Sequence, residues 1–107
     1  MAKAFKLTLN LNDKEKTYVT GFISGRKVRK AIELTNEVNS FEMENKLIPT
    51  ELLDELVIFI TELYNDQFSF DDYYDGLEYD EVLPTIQKHL LGIISGKPID
   101  GGPKQEQ

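Results

Sequence analysis

The 107-residue chain contains no cysteine, no tryptophan and a single histidine, and residues 47–87 contain no lysine or arginine. Without cysteine there are no disulfides, thiolate zinc sites or thiol nucleophiles, a composition that fits a cytoplasmic protein best. His89 alone cannot build a multi-histidine metal centre. The apolar runs fall far short of the roughly 20 residues of a membrane span. The opening "MAKAFKLTLN" alternates where a signal peptide would carry an apolar core. A soluble protein of one domain is expected, large enough to bury roughly two thirds of the surface of its unfolded chain.

The bases missing from the middle leave a strongly uneven charge. Residues 1–46 carry nine Lys/Arg and six Asp/Glu, residues 47–87 carry eleven acids, and the whole chain has net charge −7. The stretch "NDQFSFDDYYDGLEYDE", residues 65–81, holds seven of these acids and three tyrosines. That much unbalanced charge repels itself unless helix ends, solvent or a basic partner absorbs it. A general nucleic-acid binder, which needs a basic face for phosphates, does not fit. A protein partner with basic patches does.

Periodicity gives an α+β, mainly α-helical fold: an N-terminal β-hairpin packed on about four helices. Phe5, Leu7, Leu9 and Leu11 alternate with Lys6, Thr8 and Asn10 as in a half-buried strand, "NDKE" is a turn, and "KTYVTGF" returns. Ser24 is placed to cap a helix over about 25–41. Pro49 and Thr50 open a second over about 51–64. Ser69 caps a short third helix with Asp71 and Asp72 in its first turn, and Gly76 is a natural stop. Asp80 is read as the cap of a last helix over 81–95, where Pro84 is tolerated in the first turn. Residues 1–95 thus form the domain. The stretch "GKPIDGGPKQEQ", residues 96–107, reads as a disordered tail.

Little in the chain points to chemistry. An EF-hand frame would start at Asp71 with Asp75 and Gly76 in place, but it puts Tyr73 at the third position and Val82 at the twelfth, where ligands are essential. Neither a metal nor another cofactor is expected. No phosphate loop or nucleophilic constellation accompanies the carboxylates, so an enzyme is not expected, and His89 reads as a partly exposed structural residue. Caps and first helical turns account for Asp71, Asp72, Asp80 and Glu81. Asp66, Asp75 and Glu78 remain as candidates for a recognition surface, together with Tyr73 and Tyr74, which can bury a ring and keep a hydroxyl wet.

Two further features are candidates for partner binding. "GRKVRK" places cations at the start of the first helix, where its dipole disfavours them. Arg26, Arg29 and Lys30 form either a solvated face, with an Arg29–Glu33 pair, or a docking patch, or an internal counterpart to the acidic segment. On the second helix Ile58 falls opposite the core face, among Glu51, Asp54 and Glu62. Either the hairpin or the "MENKLIP" linker covers it, or it meets another copy or an apolar partner segment.

Taken in order, "FISGRKVRKAIEL", "LLDELVIFITELYNDQFSFDDYYDGL" and "VLPTI" resemble the tail assembly chaperones of long-tailed bacteriophages of Gram-positive hosts, over roughly residues 5–94. In that family a hairpin leads into an S-G-R helix, a segment of the "LY-N-QF-T-x-DD-x-YDG" type and a final helix. Phe59 stands where the pattern often has a smaller apolar residue. The resemblance implies a non-virion protein of the host cytoplasm that coats the tape measure protein, keeps it soluble and recruits tail tube subunits, with no catalytic residues. It also implies that a longer frameshifted product is common in the family. The alternative from another class is an acidic DNA-mimic inhibitor or adaptor that occupies a basic groove of a host protein. Against that alternative stands the placing of many acids at helix caps rather than along one phosphate-like face.

Overall fold

The computed structural model describes residues 4–98 and 100–101. A hairpin of β1 (Lys6–Leu11) and β2 (Lys14–Val19) is followed by α1 (Arg26–Met43), α2 (Thr50–Leu63), α3 (Phe70–Asp75), α4 (Val82–Ser95) and a short β3 (Asp100–Gly101). The expected hairpin and four helices are all present.

Alternation in β1 sets the hairpin. Leu7 and Leu9 are fully buried and face Tyr18 and Lys16 of β2. Thr8 and Thr17 share a 2.8 Å hydroxyl contact on the solvent side. The strands reverse through Asn12 and Asp13, with φ of 55° and 63°. Asn and Asp tolerate that left-handed pair, and it matches the twist of the strands it joins. β3 pairs in parallel with the start of β1, so the sheet order is β2-β1-β3. Residues 100–101 of the expected tail therefore belong to the sheet, and residues 99 and 102–107 lie outside the described residues.

α2 is the centre of the core. Leu52, Leu56, Val57, Phe59, Ile60 and Leu63 are buried, and so is Tyr64 at its C-cap. α4 contributes Ile86, Leu90 and Ile93 and packs on α1, which buries Ala31 and Leu34. None of the described helices is long and apolar enough to cross a membrane.

Four local expectations are corrected. α1 is entered through Gly25 with no side-chain cap, because the Ser24 carbonyl rather than its hydroxyl meets the turn, accepting from Lys27 N at 3.0 Å. Glu81, also without a side-chain cap, replaces Asp80 at the start of α4. Gly76 ends α3 in an ordinary conformation, φ −94°. Its missing side chain matters for closeness instead: a Cβ there would lie 2.8 Å from the Asp72 carbonyl oxygen and 2.9 Å from Leu9 Cβ. The left-handed helix end is at Gly96, φ 77°. The fourth correction is His89, which is fully buried.

Candidate partner-binding surfaces

The cations of α1 lean mainly on α2. Lys30 Nζ lies 3.0 Å from Glu55 Oε2, and that hydrogen bond raises the lysine pKa above its usual value. Lys27 Nζ is 3.6 Å from Glu62 Oε1 and also sits over the Phe59 ring. Arg29 makes the expected pair with Glu33, at 3.8 Å. Arg26 is exposed and has no ion-pair partner among the described residues. The internal counterpart of the basic turn is therefore α2, and not the stretch over residues 65–81.

That stretch divides into structural and exposed residues. Ser69 and Asp72 form a reciprocal capping box, Asp72 N to Ser69 Oγ at 3.0 Å and Ser69 N to Asp72 Oδ2 at 3.2 Å, which satisfies backbone donors that a helix start leaves open. Tyr73 is fully buried, donates its hydroxyl to the Val82 carbonyl at 2.9 Å, and has its phenol pKa pushed up by burial. This takes it out of any surface. Tyr74 is half-buried and donates to Asp54 Oδ1 at 2.8 Å, with its pKa raised first by desolvation and then by that bond. Asp66 lies exposed on the α2–α3 connection in a left-handed conformation, φ 58°.

Asp75 and Glu78 come together. With Asp80, Glu81 and the hairpin residues Asn12 and Asp13, they line an open acidic depression. Among the described residues no cluster of three or more carboxylates or histidines has the arrangement to hold a metal ion. Ile58 is 46 % exposed, so neither the hairpin nor the α1–α2 linker covers it.

A surface that the sequence did not single out lies at the other end of the hairpin. Phe5, Phe22, Ile23, Val28 and Ile93 line an apolar groove of about 540 Å³, and Phe22 is 93 % exposed. The available signal was "GFISG": two large apolar residues between glycines, in a connector that belongs to neither the strand nor the helical pattern. The acidic depression includes Asn10 and the hairpin turn, and the groove includes Phe5 and Thr20, so they lie toward opposite ends of the hairpin. From Phe5 to Asn10 that is roughly 16 Å at about 3.3 Å per residue.

A family model described as "Phage tail chaperone protein" matches residues 2–107. The chain belongs to this family. No curated protein and no solved structure matches it. A phage tail chaperone works on other proteins while the tail is built. Among the described residues, the apolar groove, the acidic depression and Ile58 are open to solvent.

Proposed function

We propose that this phage tail chaperone binds the tape measure protein, keeps its apolar helical segments soluble and recruits tail tube subunits around it. It acts in the host cytoplasm without catalysis and without becoming part of the virion. The observation that carries the reading is the pair of unlike surfaces on one small domain. An apolar groove with an almost fully exposed Phe22 suits an apolar client, and an acidic depression at the far end of the hairpin suits a second, basic partner. Ile58 adds a third contact, toward another copy or toward the client. Against a DNA mimic, α1 presents cations on the same domain, and several of the acids are committed to a capping box or to α1.

Co-expression with fragments of the tape measure protein from the same phage tests the proposal. The fragments stay soluble and co-purify with the chaperone, and tube protein joins the complex. Fragments that precipitate equally with and without the chaperone would refute it.

A further inference from the structure

The outer face of α4 carries a row of side chains turned away from the core. At about 100° per residue Leu83, Gln87, Leu91 and Ile94 fall within an arc of roughly 80°, whereas Ile86 and Ile93 point inward and are buried. Leu83, Leu91 and Ile94 are exposed, and so is Gln87 between them. Three large apolar side chains on one helical face gain by being covered.

The row reads the same in both directions about Gln87. Leu83 and Leu91 stand four residues before and after it, on one i, i+4, i+8 ridge. Two copies of α4 crossing antiparallel at Gln87 therefore set Leu83 of each against Leu91 of the other and bring the two amides together. Each amide can donate an N–H to the other's oxygen. An apolar segment of a different protein laid on the same row would bury the amide without a partner, which costs free energy.

Charge favours the same arrangement. α4 contains no carboxylate, so two copies can approach there although each has net charge −7. Asp80 and Glu81 lie just before the start of the helix and Lys97 just after its end. Antiparallel packing turns each Lys97 toward the acidic end of the other helix, while parallel packing sets acids beside acids.

We infer that two copies of this chain associate through α4, antiparallel about a two-fold axis at Gln87. The inference does not depend on the chaperone reading, and the contact is distinct from Ile58 on α2. One helical face from each copy falls short of the roughly 800 Å² per partner of a standard interface, so the dimer is weak, with a Kd of about 10–500 µM.

Charge exchange at residue 87 tests it, by sedimentation equilibrium of the full chain at low salt and up to about 1 mM. The parent dimerises. Gln87→Glu and Gln87→Lys each weaken self-association by about ten-fold or more, because like charges meet at the axis. An equimolar mixture of the two variants recovers a dimer at least as tight as the parent's, and added salt weakens it. Residue 87 is exposed, so both variants keep the parent's thermal midpoint. Leu91→Ser, which removes an apolar contact and adds no charge, also weakens the parent dimer. A parent that stays monomeric throughout, single variants that dimerise like the parent, or a mixture that fails to associate overturns the inference. Association lost with Ile58→Lys but kept in both residue-87 variants places the contact on α2 and overturns it as well.

Discussion

The Tyr64 hydroxyl donates to His89 Nε2 across 2.7 Å in the middle of the core, tying α2 to α4. The direction follows from the other ring nitrogen. Nδ1 lies 2.8 Å from the Thr85 carbonyl, which can only accept, so Nδ1 carries the proton and Nε2 is left to receive one. The Phe5 ring stacks on the imidazole at 5.6 Å and closes it off from water. The single histidine is thus a neutral part of the core that links both helices and the hairpin.

Its burial sets a pH dependence. Desolvation lowers the His89 pKa from the ordinary 6.5 to about 4, with the Thr85 carbonyl opposing the shift. Above about pH 6.5 both folded and unfolded chains leave it neutral, and its contribution is complete. Between about pH 6.5 and about 4 the unfolded chain takes up a proton that the folded chain refuses, so stability falls by about 3 kcal/mol across that window. Urea unfolding at a series of pH values measures the loss. An NMR titration assigns it to His89, whose ring must stay neutral down to about pH 4. Titration of the folded protein at the ordinary histidine value would refute the account.

Thr35 is the converse case. Its hydroxyl is buried without a hydrogen-bond partner in the described structure. Thr35→Val keeps the shape and removes the unsatisfied group, so stability holds or rises by up to about 1 kcal/mol. A clear drop in thermal midpoint would show that the hydroxyl is satisfied in solution.

Glycine substitutions separate close approach from backbone freedom. A Cβ on Gly92 would lie 2.6 Å from the Lys97 carbonyl oxygen and 2.7 Å from Phe5 Cε2, whereas one on Gly25 meets nothing within 4 Å. Gly92→Ala is expected to destabilise by about 1–3 kcal/mol, because the chain that leads into β3 or the Phe5 ring must move. Gly25→Ala stays within about 0.5 kcal/mol. Equal effects of the two in chemical denaturation would contradict the packing argument.

The hairpin and the helical faces were legible because each is a local pattern: Leu7 and Leu9 repeat every second residue, and the apolar residues of α2 follow the helical period. Ser69 was legible as a cap because its partner Asp72 is three residues away. Ser24 and Asp80 carry the right side chains, but the backbone enters each helix one residue later, and residue type alone does not fix that choice. Gly76 resembles a helix stop in sequence, yet its need for glycine comes from β1, more than sixty residues earlier in the chain. The same distance hid the groove and the burial of His89. Phe5, Phe22, Val28 and Ile93 come from four separate segments, and His89 is enclosed by Tyr64 and Phe5, which the helical wheel of α4 does not contain.

The contact between Lys30 and Glu55 joins two half-exposed side chains. Water screens such a pair, and a double-mutant cycle with Lys30→Glu and Glu55→Lys is expected to give a coupling of about 0.2–1 kcal/mol that shrinks with added salt. Arg26→Glu, which breaks no pair, leaves stability unchanged or slightly higher. If Lys30→Glu is as harmless as Arg26→Glu at low salt, α1 and α2 are not held by charge.

Ile58 distinguishes a surface held for binding from one held for folding. Its neighbours Val57 and Phe59 are buried, while Ile58 itself is 46 % exposed on the outer face of α2. Asp54 and Glu62 lie one helical turn before and after it. A lysine at this position would stand at i+4 from Asp54 and i−4 from Glu62, which already meet Tyr74 and Lys27, so it gains at most about one exposed pair of about 0.2–0.5 kcal/mol. Ile58→Lys is therefore expected to leave the fold as stable as before or slightly more so, although it replaces a large apolar side chain by a charge. The cost appears elsewhere: if Ile58 meets another copy or the client, the charge must be desolvated in that contact, and association or protection of tape measure fragments is lost. Thermal unfolding, sedimentation and the fragment-solubility assay on one preparation read the two effects separately. A large fall in thermal midpoint would place Ile58 inside the fold after all, and a stable variant that associates and protects like the parent would remove it from the binding surface.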